Sequence, residues 1–507
     1  MNKTKQRVFL TGATGAMGFP SLKALLEDKD EIDLITLARP SEKNKKKLKP
    51  FSGSIKIVWG DLNNYDDIKT CVKDADVVLH LGALVSPVAD YHPEKTIKTN
   101  YGSTVNIVKA IKEFNQTDRT KLVYIGTVAE TGDRMPPIHW GRVGDPVNSS
   151  VFDYYAVSKI AAERYVIESG LKYWVSLRQT GIIGPVMAKT EDPIMFHNCL
   201  DNVLEFASDR DSAILIRNLC REDRNRALGN NFWGNIFNLG GGESCRASMY
   251  EIFIKVFGAI GITNLSYVLD SKWFATRNFH GHYYLDSGKL NDILHFQNDS
   301  MDYFYEAYLK TLGGIASLAK IITRLPGGQN FLGGIIKNRF YKLAKAEVGT
   351  LGYIRNNLED KINVYWGSKE AWEAIPPMEK FNHFSDWDKV IHINHGYDEN
   401  KPKHELNIKD LQEASKFRGG KLISKDMKTG NLTDKLKFQC AFGHEFEASP
   451  FLILKGGHWC PVCERESWNY QERARLDSFF AQVWYPLHDK NEKAQRYPKK
   501  FSELNVF

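Results

Sequence analysis

Short apolar runs separated by helix-length stretches organise the first part of the chain. Val8 to Leu10, Ile32 to Ala38, Ile55 to Trp59, Val77 to Leu81, Leu122 to Ile125 and Trp174 to Leu177 are predominantly apolar segments of strand length. Helical spacing fills the intervals between them. Strand and helix alternating in this way predict an α/β fold, a doubly wound parallel sheet whose strands are apolar because helices cover both faces. A further run, Ile236 to Leu239, returns to the sheet before the Gly240-Gly241-Gly242 turn.

Beyond the sheet the pattern changes twice. Pro193 to Ser300 predicts a smaller lobe, rich with the residues just after it in rings such as Trp273, Phe274, Phe279, Tyr283, Tyr284, Phe296, Tyr303, Phe304 and Tyr305. An apolar substrate pocket and an ordinary core both have this composition, and core is the expectation for most of the rings. From Thr311 to Lys345, Ile315, Leu318, Ile321, Ile322, Leu332, Ile335 and Ile336 alternate with lysines and arginines. This predicts two basic amphipathic helices broken at Leu325-Pro326-Gly327-Gly328. Packing on the catalytic core with a solvated basic face is the expectation; an anionic membrane surface is the less favoured alternative.

The chain of 507 residues exceeds one ordinary domain. The expected units are residues 1–310 (sheet domain about 1–190, lobe about 191–310), a helical linking region 311–400, a small module 401–470 and a tail 471–507. The polar run Asp398 to Pro402 marks the boundary before the module.

Thr11 to Gly18, TGATGAMG, follows the first strand and opens a helix. In that context Gly12, Thr14, Gly15, Ala16, Met17 and Gly18 form a turn whose N–H groups receive a dinucleotide pyrophosphate. The second strand ends at Arg39, where a carboxylate would accept the ribose 2′-hydroxyl of NAD and a cation suits the 2′-phosphate of NADP. NADP is therefore the favoured cofactor, with NAD the alternative. Lys43, Lys45, Lys46 and Lys47 add positive charge beyond it. Asp61 and Leu62 after the third strand, and Leu81, Gly82 and Ala83 after the fourth, stand at strand ends where an open α/β sheet binds its ligand.

Together with GDL, HLGA, Asn100, a strand ending near Thr127 and YAVSK, these residues resemble the extended short-chain dehydrogenase/reductase family, of the epimerase/dehydratase kind. The resemblance covers about Arg7 to Ser300. It implies Thr127, Tyr155 and Lys159 as catalytic residues, Asn100 as the helix asparagine, and Ile182 in the nicotinamide-side loop that ends at Gly184-Pro185. Residues four apart share a helical face, so Tyr155 and Lys159 project together. A free phenol is too weak an acid at neutral pH, and the Lys159 ammonium is expected to lower its pKa. Nucleotide-sugar enzymes of this family usually carry an Asn just before that loop, where this chain has Gly181.

A second signal lies at Cys440-Ala-Phe-Gly-His444 and Trp459-Cys460-Pro-Val-Cys463. A C-x3-H pair with a C-x2-C pair supplies the four ligands of a structural zinc, Cys440, His444, Cys460 and Cys463. His458 competes with His444 as the histidine ligand but sits awkwardly before Cys460. The segment resembles treble-clef or zinc-ribbon modules, and His444 to Phe451 reads as a hairpin. Surrounding cations, Arg418 among them, and aromatic rings allow a nucleic-acid face, but a structural or protein-contact role, including contact with a second copy in a homodimer, is favoured. His280 and His282, two apart without Cys or carboxylate neighbours, are read as pocket-lining rather than metal ligands.

A net charge of +7 is mild for this length and does not imply nucleic acid. Cys71, Cys199, Cys220 and Cys245 are scattered singly, as reduced thiols are. With no apolar run near membrane-spanning length and no signal-like opening segment, a cytoplasmic location is expected. Three functions are open. The favoured one is an NADP-linked oxidoreductase for the carbonyl or alcohol of a small or apolar metabolite. The others are a nucleotide-sugar epimerase or dehydratase, and a dinucleotide sensor that binds nucleic acid.

Overall fold

The computed structural model describes residues 5–499. The ends of the predicted first and last units, residues 1–4 and 500–507, lie outside them. Seven strands form one parallel sheet: β1 Gln6–Thr11, β2 Ile32–Ala38, β3 Lys56–Trp59, β4 Val77–His80, β5 Lys121–Thr127, β6 Tyr173–Gln179 and β7 Asn235–Leu239. Their order is β7-β6-β5-β4-β1-β2-β3, so the winding reverses between β1 and β4. Alternate residues feed opposite faces. Phe9, Ile35, Val78 and Leu122 enter one apolar core, and Val8, Leu34, Val77 and Val123 enter the other.

Helix α1 (Gly18–Leu26) follows the glycine turn, α2 (Pro93–Glu113) follows β4, and α3 (Tyr154–Ile167) carries the Tyr-x-x-x-Lys sequence. Asp153 caps α3 by accepting from the Ala156 N–H at 2.7 Å. Twelve of the fourteen α3 residues are buried, which is why its sequence shows no polar face. The smaller lobe buries Trp273, Phe274, Tyr283, Tyr284, Phe296 and Phe304 as core, in line with the packing expectation. Helices α4 (Gly314–Arg324) and α5 (Gly328–Ala344) break where the Leu325-Pro326-Gly327 sequence predicts.

The C-terminal part packs onto the sheet domain. Phe438, Phe446, Phe451 and Trp459 join the same apolar cluster as Phe9 and Leu122. The expected hairpin over His444–Phe451 is displaced: Leu436–Gln439 pairs antiparallel with Glu445–Ala448, and Cys440 to His444 is the turn between them. Ser449 ends the second strand by capping a helix, Pro450–Leu454. The expected tail also differs, because Tyr470–Leu476 and Ser478–Trp484 are helices. Trp468, Tyr470, Phe479 and Phe480 are buried in one cluster with Tyr154, Tyr365 and Trp366, and that aromatic packing holds the segment against the rest of the chain.

Candidate functional site

The crevice at the β1/β4 reversal is shaped by two close backbone approaches. Gly12 has φ +73°, and a Cβ there would lie 2.8 Å from the Gly82 backbone; at Gly18 it would lie 2.1 Å from the Gly12 carbonyl. Side chains at either position would push the two turns apart. The Gly82 N–H donates to Thr11 Oγ1 at 2.8 Å, and that hydroxyl lies 3.0 Å from His80 Nδ1. Burial, with the nearby Lys159 charge, lowers the His80 pKa to about 3, so the ring is neutral. Gly15 and Ala16 stand exposed before α1, where a helix N-terminus attracts an anion.

Other expected cofactor residues are distributed around this crevice. Ala83 follows Gly82, and the Leu62 side chain packs beside Gly82. Asp61 accepts from Asn63 at 2.8 Å. Arg39 is exposed beyond β2, while Lys47 donates to the Thr14 carbonyl at 2.9 Å, bringing one cation of the lysine run to the glycine turn. Leu81 and Ile182 are half-buried near strand ends.

Two expected residues stand back from the crevice. Met17 is buried in the core beneath the sheet. Asn100 is also buried, with its side chain taken up by protein: Nδ2 donates to the Leu84 carbonyl and to Ser158 Oγ at 2.9 Å, and Oδ1 accepts from the Leu84 N–H at 2.7 Å. It therefore ties the loop after β4 to α3 instead of facing a ligand.

Thr127, Tyr155 and Lys159 converge at the carboxyl end of β5. Thr127 hydrogen-bonds the Tyr155 phenol. Its backbone N–H donates to Glu130 Oε1 at 2.9 Å, which fixes the end of the strand. The Lys159 ammonium lies 4.2 Å from the centre of the Tyr124 ring. Burial brings its pKa down to about 8, against the opposing pull of the Glu130 and Glu163 carboxylates. The expected lowering of the phenol by Lys159 is not what this arrangement yields. Burial, with the charges of Asp153 and Asp90 adding to it, raises the Tyr155 pKa despite the Thr127 hydrogen bond, so the side chain is a protonated donor at neutral pH.

Beneath this trio lies a buried ionic network that local spacing alone did not reveal. Glu163 follows Lys159 by one helical turn. Its carboxylate accepts from Arg178 Nη2 at 2.6 Å and from Ser176 Oγ at 2.6 Å, and lies 2.9 Å from His458 Nε2. Although burial acts to raise it, Arg178 and His458 hold Glu163 well below the carboxylate range. Glu130 lies 3.4 Å from Arg178, and burial with the neighbouring Glu163 charge raises it well above that range. One guanidinium thus serves two carboxyl groups, of which Glu163 keeps the charge.

His458 comes from the C-terminal module, and it is one of several ties to α3. Both terminal nitrogens of Arg164 donate to the Trp459 carbonyl at 3.0 Å, and Arg178 donates to the Gly456 carbonyl at 2.9 Å. The Ser449 N–H donates to Glu168 at 2.8 Å, and Phe451 packs edge-on against Trp174. The module grips the back of the helix that carries Tyr155 and Lys159.

The four sequence-predicted ligands of that module come together, with donor atoms all within 4.8 Å of one another. Cys440 Sγ is 3.8 Å from Cys463 Sγ, and His444 Nδ1 is 3.5, 3.3 and 3.7 Å from the Cys440, Cys463 and Cys460 sulfurs. Tetrahedral bonds of about 2.3 Å to sulfur and about 2.0 Å to nitrogen give edges of roughly 3.8 and 3.5 Å, so the donor set suits zinc. His458 points instead to Glu163. Arg418, counted as a nucleic-acid cation, is fully buried and donates to the His395, Ala414 and Ile453 carbonyls, while Phe438, Phe446 and Trp459 are core. Those residues are structural.

On the other side of α3, a cavity of about 720 Å³ opens beside its first turn. Aromatic rings of Tyr91, Phe152, Tyr154, Phe279, Tyr353 and Tyr365 line it, with carboxylates of Asp90, Asp153, Glu347, Glu359 and Asp360 and with Lys361, His197 and His280. His280 Nδ1 lies 3.1 Å from Asp153 Oδ2, so it pairs with a carboxylate and not with His282, which sits 3.3 Å from Thr131 Oγ1. Burial, then the Asp153 charge, raises Asp90 to about 7.

Asp90 ionises near pH 4 when unfolded and near 7 when folded, so between those values the unfolded chain has lost a proton that the folded chain retains. Folding stability therefore falls as pH rises through that window. Asp90→Asn is expected to match the parent below about pH 4 and to unfold at a higher temperature above about pH 7. Thermal unfolding at both ends of the window checks this, and an offset independent of pH contradicts it.

The open parallel sheet, the glycine turn at its reversal and the tyrosine-lysine helix define a Rossmann-type domain with a dinucleotide cleft. Residues 8–215 match the model of the NAD dependent epimerase/dehydratase family. Among curated relatives, the UDP-N-acetylglucosamine 4,6-dehydratase (inverting) of Campylobacter jejuni is 29% identical over 201 residues, 34% of this chain and 60% of that protein. The 3-beta-hydroxysteroid dehydrogenase of Mycolicibacterium neoaurum is 26% identical over 212 residues, 39% of this chain and 52% of that one. The chain thus spans little more than half the length of these relatives. Among solved structures, dTDP-glucose 4,6-dehydratase from Bacillus anthracis, in complex with NAD, superimposes with a TM-score of 0.47 at 15% identity, covering 62% of this chain and 100% of that one.

Proposed function

We propose that the chain is an NAD(P)-dependent oxidoreductase, NADP-linked, that interconverts a carbonyl and an alcohol on a small or apolar metabolite. The observation that carries this reading is the Tyr155 phenol, hydrogen-bonded to Thr127 with Lys159 one turn along, on the helix whose first turn lines the ring-lined cavity through Tyr154. When bound, the nicotinamide supplies or accepts hydride at carbon. Tyr155 donates the proton to the carbonyl oxygen, Thr127 orients that oxygen, and Lys159 holds the ribose hydroxyls. The Glu163 carboxylate keeps the ammonium of Lys159 in place. The rings favour an apolar substrate face, and the carboxylates around the cavity disfavour a diphosphate.

Arg39 and Lys47 support NADP. Arg39→Asp is expected to weaken NADPH binding by about tenfold or more, as loss of a charged hydrogen bond does, while NADH binding changes little. Equal losses for both cofactors, measured by fluorescence titration, contradict the assignment. In the C-terminal module, Cys440, His444, Cys460 and Cys463 hold a structural zinc, leaving no coordination position for catalysis.

A second reading, epimerisation or dehydration of a nucleotide sugar, is favoured by the family match of residues 8–215 and by the Campylobacter relative. Net NADPH consumption with a carbonyl panel supports the first reading. Conversion of a UDP-sugar without net change in cofactor replaces it with the second.

A further inference from the structure

Helices α4 and α5 turn the expected packing inside out. Amphipathic helices normally bury their large apolar residues, yet the buried positions of α4 are Ala316, Ala319 and Thr323. In α5, Gly333 lies so close to Tyr267 that a Cβ would stand 2.7 Å from its side chain. Small residues thus make the α4 contact and the closest α5 approach to the lobe beneath, beside the half-buried Phe340 and Leu343 of α5. Ile315, Leu318, Ile321, Leu325, Phe331 and Ile335 are left 57–69% exposed.

Burial elsewhere does not compensate. Leu332 and Ile336 pack partly against the lobe and Ile322 is half-buried, but six of the large apolar side chains exposed among the described residues lie on this one hairpin. Patches of this sort on one helical hairpin mark an interaction surface.

Charge identifies the partner. Between Glu306 and Glu347 the chain has seven lysines and arginines and no Asp or Glu. Arg339 reaches Glu191 and Lys337 donates to the Ser266 carbonyl, but among the described residues Lys320, Arg324 and Lys342 pair with no carboxylate. Exposed apolar side chains bordered by an excess of cations, the Arg339–Glu191 pair aside, suit a surface that is apolar below and anionic above.

We propose that the α4/α5 hairpin docks the protein on an anionic lipid bilayer, its large apolar residues entering the headgroup boundary and its cations meeting lipid phosphates. No helix among the described residues is long and apolar enough to cross a membrane, and a hairpin with one apolar and one basic side suits contact in the plane of the interface. The inference does not depend on the reaction catalysed, because it rests on the hairpin alone.

The test is co-sedimentation of the intact protein with vesicles of phosphatidylcholine and with vesicles that also contain phosphatidylglycerol. Binding to the anionic vesicles alone, weakening as salt is raised, is expected. Ile321→Glu with Phe331→Glu, and separately Lys320→Glu with Arg324→Glu, should each weaken it about tenfold or more, at about 1 kcal/mol for each charge near the surface. All four positions are exposed, and an unchanged unfolding transition confirms that the variants fold. No binding to either vesicle, or equal binding to both, overturns the proposal. Sedimentation velocity without lipid supplies the other arm: a parent dimer that Ile321→Glu with Phe331→Glu dissociates, without vesicle binding, assigns the face to a second copy and overturns it as well.

Discussion

Tyr155→Phe is expected to lower turnover by about 100- to 10,000-fold while leaving dinucleotide affinity nearly unchanged. The reasoning begins with the phenol's surroundings. Burial, with the charges of Asp153 and Asp90, keeps it protonated, and Thr127 hydrogen-bonds it, so its proton is available to a carbonyl oxygen brought against it. Phenylalanine preserves the ring and removes only that proton. Steady-state turnover on a substrate drawn from the carbonyl panel measures the loss, and cofactor titration separates it from a binding defect. Turnover at the parental rate would assign the proton to another group.

Loss of the zinc ligands should produce the largest change in stability. Cys463→Ala removes one corner of the cluster, and structural zinc contributes on the order of 10 kcal/mol where folding depends on it. The module's contacts make the consequence reach the active site. Trp459 and His458 immediately precede the ligand Cys460, and they hold Arg164 and Glu163 on α3. Parent protein should carry one zinc ion per chain by atomic emission. The variant should lack the ion, unfold at a lower temperature and lose turnover together with stability. A metal-free protein with the parental transition and full turnover would contradict both the ligand set and the brace.

The sheet was legible because its strands are largely buried on both faces and therefore read as predominantly apolar runs. Ile32–Ala38 coincides with β2, and the other runs fall within a few residues of their strands. The glycine turn was legible for a different reason: Gly12 and Gly18 stand where any side chain would strike backbone. Local chemistry of that kind leaves a local trace. The ionic network does not, since Glu163, Arg178 and His458 are brought together from a helix, a strand and a distant module. Only the spacing of Glu163 four residues after Lys159 hinted at it.

Other differences come from packing choices that periodicity cannot decide. The α4 sequence has an amphipathic pattern, but the pattern does not say that the alanine side is the one that packs. Asn100 fits the family position yet spends its amide on Leu84 and Ser158. The last helices were missed because their aromatic residues, Tyr470, Phe480 and Trp484, pack on one another and join a cluster with Tyr154 and Trp366, more than one hundred positions away.

The most direct measurement is fluorescence titration of the intact protein and of Gly15→Val with NADH and NADPH. Gly15 stands exposed in the turn before α1, and a Cβ there would meet the Gly12 carbonyl at 3.2 Å, so the variant should fold while crowding the pyrophosphate position. Saturable binding by the parent, NADPH ahead of NADH, with the variant weakened by an order of magnitude or more, is the result expected. Absence of binding by the parent, or identical binding by the variant, would contradict the placement of a dinucleotide in the β1/β4 crevice.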